Sequence, residues 1–242
     1  MPDVKDFYDE DAKKYDEKRF SENNWQDLVH QKLLQNFLND IPSDSRILEI
    51  GCGTGRFTST LVGNEFDTTT VDISHSMLQE TRDRCKGLRT EAQPKLIQGD
   101  VSNLPFKNNY FDGCIIVNVL SHLPNPKKGF SEISRVVGKD GRVFTNFTNL
   151  FSPYFPIGFV VNRRGKSVQE DVFSHWYSWD EIDGIIANSN LEVERIRGHM
   201  IPPRGDYPGV DSIIKILDSI TRDSFLRFFA GNRFYHLRVD HQ

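Results

Sequence analysis

Nine consecutive residues, Ile47-Leu48-Glu49-Ile50-Gly51-Cys52-Gly53-Thr54-Gly55, constrain this chain more than any other stretch. A short apolar run from Arg46 to Ile50 reads as a strand, three glycines follow at alternate positions, and helical spacing resumes from Phe57 to Val62. The local order is strand, glycine loop, helix. Glycines in such a loop reach positive φ and let a ligand approach bare backbone, although a turn that only packs helix on strand has the same residues. The spacing bears on which ligand. A nicotinamide fingerprint is G-x-G-x-x-G, but the sixth position counted from Gly51 is Arg56, and the third glycine falls one earlier at Gly55. Glu49 adds a carboxylate near the ligand end of the strand, where a pyrophosphate is repelled and an amino acid's ammonium is not.

Strand and helix patterns alternate from there. Strands are expected at Thr68 to Asp72, Lys95 to Gly99, Gly113 to Val117, Arg142 to Phe147, Leu191 to Arg197 and Phe234 to Val239. Helices are expected from Ser74 to Arg84 with Ser74 as cap, from Pro126 to Val137 ending at Gly138, and from a Ser178-Trp179-Asp180-Glu181 capping box to Asn188. Such alternation specifies an α/β fold, a doubly wound, mostly parallel sheet with helices on both faces. Ahead of it, Asp6 to Arg19 reads as a partly amphipathic helix, and Trp25, Leu28, Val29, Leu33 and Phe37 form an apolar helical stripe. The stretches 150–177 and 202–232 stand outside the pattern and are expected on the acceptor side.

Composition narrows the partners. At 242 residues with 37% hydrophobic content the chain is expected to form a single domain, 1–242, made of N-terminal helices to 45, a core over 46–149 and the two insertions. A net charge of -4 argues against nucleic acid, whose backbone asks for many basic contacts. Cys52, Cys85 and Cys114 form no CxxC pair, so neither zinc nor a disulfide framework is suggested, and they read as reduced thiols of a cytoplasmic protein. The N-terminus lacks the pattern of a signal peptide, and no stretch offers the ~18 apolar residues of a membrane span.

Two carboxylates mark further strand ends. Asp72 follows Gly55 by 17 residues, counted as 72 - 55, where an open α/β sheet places the acid that accepts from both ribose hydroxyls. Asp100, in Gly99-Asp100-Val101, reaches the same crevice from the third strand. Each alone is open to a plain surface or capping role. Together with the glycine loop they imply a nucleoside.

These segments, with Val71-Asp72-Ile73-Ser74, Met77-Leu78, Leu104-Pro105-Phe106 and Phe111-Asp112, resemble the ordered motifs of class I S-adenosylmethionine-dependent methyltransferases over roughly Tyr15 to Thr148. The nearest group is the one with ubiquinone, menaquinone and many small-molecule methyltransferases. The resemblance implies a seven-stranded Rossmann-like sheet with an antiparallel last strand and S-adenosylmethionine as cofactor. It assigns Glu49, Gly51, Gly53 and Gly55 to the methionine portion, Asp72 to the ribose, Asp100 and Val101 to the adenine, Val117 to the methionine chain, and Ile73 and Met77 to the cofactor site as a whole. Tyr15 and Arg19 resemble an N-terminal element that closes over the cofactor.

The implied reaction transfers a methyl group to a small-molecule or lipid-like acceptor. A cofactor-binding regulatory protein without transfer, and a nicotinamide oxidoreductase, are the competing readings. His122 follows the fourth strand and is either a general base facing the crevice or a packing residue at a helix start. His175-Trp176-Tyr177 either lines an acceptor pocket or acts as a hydrophobic staple before Ser178. Phe151, Tyr154, Phe155 and Phe159 suit an aromatic or lipid-like acceptor and equally suit packing. Arg163, Arg164 and Lys166 suit an anionic group or plain solvation.

Overall fold

The computed structural model describes residues 4–16, 25–88, 90, 92–152, 175–199, 216 and 218–240. Helix α1 (Val4–Asp11) and a 3-10 turn (Ala12–Lys14) precede α2 (Trp25–Leu38). The alternating part follows as β1 (Arg46–Ile50), α3 (Arg56–Gly63), β2 (Asp67–Asp72), α4 (His75–Lys86), β3 (Lys95–Gln98) and β4 (Phe111–Ile116). After a 3-10 turn (Leu120–His122) come α5 (Pro126–Val136), β5 (Val137–Thr148), α6 (Trp179–Ala187) and β6 (Leu191–His199). A 3-10 turn (Phe225–Phe229) then leads into β7 (Asn232–Val239).

The seven strands form one sheet in the order β3-β2-β1-β4-β5-β7-β6. β1 pairs in parallel with β2 and β4, β2 with β3, and β4 with β5. β7 lies between β5 and β6 and runs antiparallel to both, Tyr235 standing opposite Thr145 on one side and Ile196 on the other. Alternate side chains of each strand enter different layers. Ile47, Ile115, Phe144 and Phe234 pack with Leu33, Phe37 and Leu61 of α2 and α3. Leu48, Cys114, Val143 and Tyr235 pack with Phe130, Ile133, Ile182 and Ile186 of α5 and α6. Burial on both faces is why the central strands read as nearly continuous apolar runs.

Local signals placed two helix starts correctly. The Ser74 hydroxyl accepts from the Met77 amide at 3.1 Å. Ser178 and Glu181 exchange both bonds of the capping box, at 2.7 and 3.3 Å. Other expectations need correction. The N-terminal helix runs from Val4 to Asp11 and passes into a 3-10 turn over Ala12–Lys14, and residues 17–19 of the expected helix lie outside the described residues. Leu28 is 69% exposed. At ~100° per residue it lies nine positions, or half a turn of the wheel, from Phe37, so the buried stripe passes through Leu33, Leu34, Phe37 and Leu38 instead. β5 begins at Val137, where α5 stops, well before Arg142. Val137 pairs with Phe111 and the register shifts before Gly113, with Asp140 at φ 63°, so Gly138 sits in a bulged strand rather than behind a helix end.

Candidate cofactor and acceptor site

Gly51 and Gly53 line a cavity of about 340 Å³ beyond the carboxyl ends of β1, β2 and β4, a volume in the range of ligand sites. Gly51, Gly53 and Gly55 have φ of 74°, 54° and 81°. Their duties differ. A Cβ on Gly51 would stand 2.1 Å from Val119 Cγ2, and one on Gly55 would stand 2.8 Å from Thr81 Cα in α4. A Cβ on Gly53 would meet nothing within 4 Å. Gly51 therefore lets the loop close against the Val119 side chain and Gly55 against the backbone of α4, while Gly53 leaves open space at the cavity wall. Gly55 itself is not part of that wall.

Asp72 stands at the wall with both oxygens held. Oδ2 accepts from the Gly53 amide at 3.0 Å and Oδ1 from the Ser74 amide at 2.9 Å. Burial raises its pKa, against the lowering effect of those two bonds. Ile73, Met77, Val101 and Val117 supply apolar wall, and exposed Asp100 is fixed by accepting from the Ser102 amide at 2.7 Å. Glu49 is placed differently from expectation. It lies buried behind the wall, its Oε2 accepting from Thr58 Oγ1 at 2.5 Å and Thr70 Oγ1 at 3.2 Å. Burial pushes its pKa up to about 7.

The N-terminal segment covers the front. Val4, Tyr8 and Tyr15 line the cavity, and two carboxylates tie the segment down. Asp9 accepts from Ser74 Oγ at 2.6 Å and from the Ser76 amide at 3.0 Å, adding a second cap to α4 from outside it. Burial would raise the Asp9 pKa, but the bonds from Ser74, Ser76 and Lys5 outweigh it and bring it to about 2. Asp16 accepts from Thr54 Oγ1 at 2.6 Å and pairs with Arg84, whose Nε donates to the Thr54 carbonyl at 2.7 Å. Arg19 lies outside the described residues, as do Tyr154, Phe155, Phe159, Arg163, Arg164 and Lys166. Tyr8, Asp9 and Asp16 escaped the sequence reading, where the only signal was a tyrosine and acidic pattern in one short helix.

His122 lines the same cavity, with Tyr8 Oη 3.1 Å from its Nε2. Its turn is held from behind. Tyr177 Oη donates to the Leu120 carbonyl at 2.7 Å, and the His175 amide donates to the Ser121 carbonyl at 2.8 Å. Asn118, at φ 60°, is clasped by Asn146, which accepts from its amide at 2.7 Å and donates to its Oδ1 at 2.8 Å. Tyr177 is buried in the core shared with Ile182. Tyr177 and His175 also line a second hollow of about 550 Å³ that shares Leu123 and Pro124 with the first.

Comparison with known proteins matches residues 48–145 to a methyltransferase domain. The chain is 29% identical to a phosphatidylethanolamine N-methyltransferase of Cereibacter sphaeroides over 150 residues, covering 61% of this chain and 70% of that protein. It is 36% identical to a demethylmenaquinone methyltransferase of Desulfitobacterium hafniense over 100 residues, covering 40% of each. The chain carries a methyltransferase domain over residues 48–145. The magnesium protoporphyrin IX methyltransferase of Synechocystis, whose structure holds bound SAH, has the same fold at a TM-score of 0.69 and 14% identity, covering 98% of both chains. The cavity fits S-adenosylmethionine: open space over Gly53, a carboxylate at Asp72 and apolar walls suit a nucleoside with an aliphatic tail. Among the described residues no cluster of metal ligands occurs, and no helix is long and apolar enough to cross a membrane.

Proposed function

We propose that this methyltransferase transfers the methyl group to a small-molecule or lipid-like acceptor that meets the cofactor beside His122. One observation carries the reading: the Gly53 and Asp72 cradle and the His122 imidazole face one cavity, covered by Tyr8 and Tyr15. Asp72 accepts from the ribose hydroxyls, Asp100 and Val101 face the adenine, and Ile73, Met77 and Val117 enclose the remainder. Gly51 and Gly53 border the methionine portion, and Glu49 biases that end of the site toward its ammonium from behind the wall. Tyr15 and Arg19 belong to the covering element.

S-adenosylmethionine, when bound, supplies a methyl group on a sulfonium whose departure as a neutral thioether needs no acid. The chain's own contribution is alignment and exclusion of water, and orientation of this kind accounts for ~7 to 11 kcal/mol of a barrier. A hydroxyl or carbon acid must also lose a proton, which His122 accepts while Tyr8 holds the ring in place. The lipid-like class draws support from the phosphatidylethanolamine and demethylmenaquinone enzymes among the relatives. The segments 150–177 and 202–232 select the acceptor within a single domain of 1–242. Three buried, free cysteines agree with a cytoplasmic location.

Calorimetric titration with S-adenosylhomocysteine and with NAD, followed by transfer of labelled methyl to phosphatidylethanolamine, a demethylated quinone and cell extract, tests the proposal. Binding of the first ligand alone, with label in one of these acceptors, is the expected result. Binding without transfer to any of them would turn the protein into a cofactor-binding regulator. Asp72→Ala should weaken S-adenosylhomocysteine ~10- to 100-fold, since bonds to a charged acceptor contribute about 1.5 to 3 kcal/mol.

A further inference from the structure

A second surface at this end of the sheet has no role in the site described so far. Phe151 lies just beyond β5, Trp179 opens α6, and the turn Phe225–Phe229 leads into β7, whose Asn232 stands opposite Thr148. Their rings form one cluster: Trp179 is 5.2 Å from both Phe151 and Phe228, and Phe225 is 5.4 Å from Phe228. The cluster is turned toward water. Phe225 is 71% exposed, and Phe151, Leu226 and Phe229 are exposed with it. The turn is held rigidly, because Asn149 Nδ2 donates to the Phe228 and Ala230 carbonyls and Gly198 leaves no side chain in its way.

Under these rings lies an unusual cation. Arg233 is only 3% exposed, and its Nε and Nη1 have no hydrogen-bond partner. Its guanidinium is 5.2 Å from the Phe228 and Tyr235 rings and 5.8 Å from Trp179. Arg227 lies 5.3 Å from the Phe228 ring, and its Nε is also buried without a partner. Neither arginine makes an ion pair among the described residues. The carboxylates close in sequence are engaged elsewhere, Asp223 with Arg197 at 3.1 Å and Asp218 with Arg222 and His199 at 2.5 and 2.7 Å. A guanidinium removed from water without a counter-charge is costly, and ring faces offset only part of that cost. Asp183 offsets part of the Arg233 charge without pairing with it, and among the described residues Phe225 and Phe229 remain exposed.

We propose that Phe151, Phe225, Leu226 and Phe229, set around Arg227 and Arg233, form a docking surface for an anionic lipid bilayer. Aromatic side chains seat at the boundary between headgroups and acyl chains, and the partly exposed Arg227 meets lipid phosphates there, while Arg233 adds its charge from beneath the rings. A second copy of the chain fits less well, because the same two unpaired arginines would face each other across a symmetric contact. The surface lies at the acceptor end, so it would bring a lipid-like acceptor and the methyl-transfer cavity to one interface. It deepens the lipid-like reading of the acceptor, yet it is measured without turnover, so either can fail alone.

Co-sedimentation of the full chain with extruded vesicles tests it. Vesicles of phosphatidylcholine with one third phosphatidylglycerol should bind at least ~tenfold more tightly than pure phosphatidylcholine, with the difference shrinking as salt rises. Phe225→Ser with Phe229→Ser should weaken binding to both vesicle types by ~tenfold or more, since each ring withdrawn from water contributes on that scale. Arg227→Gln should remove most of the preference for anionic vesicles. All variants should bind S-adenosylhomocysteine as the wild type does, which shows that they are folded. Unaltered vesicle binding by the phenylalanine variant, absence of wild-type binding, loss of binding to soluble glycerol phosphate as competitor, or a dimer abolished by Phe225→Ser would each overturn the proposal.

Discussion

Replacing Glu49 by glutamine should change how stability depends on pH, and the structure sets the size of the effect. The carboxyl is buried beneath the glycine loop and titrates at about 7 instead of its ordinary 4.5, chiefly because burial disfavours the charged form. Between those values the folded protein keeps a proton that the unfolded chain has released. Stability therefore falls as pH rises through the window from 4.5 to about 7, and the integrated loss is ~3 kcal/mol once pH exceeds both values. Glutamine keeps an oxygen for Thr58 and Thr70 but has no charge to lose. Its amide nitrogen, if left without an acceptor, costs about 1 to 3 kcal/mol, an offset that does not vary with pH. Urea unfolding of both proteins without cofactor, at intervals from about pH 5 to about pH 8, isolates the carboxyl as a difference in slope. Relative to the wild type, the variant should gain ~3 kcal/mol across that range. Parallel profiles would mean that Glu49 is already ionised at low pH and that burial does not govern it.

Gly53→Ala should preserve the melting temperature apart from the ~1 to 2 kcal/mol strain of a left-handed residue, yet abolish S-adenosylhomocysteine binding in calorimetry; Gly51→Ala, which drives a methyl into Val119, should instead lower stability far more. His122→Ala should reduce kcat ~10²- to 10⁴-fold near neutral pH with recovery in alkali, while cofactor affinity remains unchanged. A flat pH–rate comparison would return His122 to a packing role. Asn146→Ala strands Asn118 in its left-handed conformation with two polar groups unpaired, and denaturant melts should register a loss of about 2 to 4 kcal/mol.

Legibility in the sequence tracked how local each cause was. The glycine loop, the Ser74 cap and the Ser178 box each lie within a few residues, so spacing alone located them. Asp72 and Asp100 emerged because a strand end is a position in a periodic pattern. Tyr8 and Asp9 did not, because their partners His122 and Ser74 lie 114 and 65 residues away. Leu28 was misplaced because it stands three residues from Trp25, a helical spacing, while pointing away from Phe37. Glu49 sits one residue from Ile50 at the cavity wall, and strand alternation turned it inward toward Thr58, a distinction that motif position alone does not make. The early start of β5 depended on pairing between Val137 and Phe111, which no propensity encodes.

The position of β7 bears on how the molecule comes into being. Among the described residues it is the last strand in sequence but an interior strand of the sheet, and the only strand that pairs with β6. During translation the cofactor half, β1 to β5, can assemble while β6 emerges with nothing to pair against. β6 then waits as an unpaired strand, with Val193 among its exposed side chains, until the chain that forms β7 has been synthesised. This interval is when a nascent chain of this topology is most open to intermolecular strand pairing and to capture by chaperones.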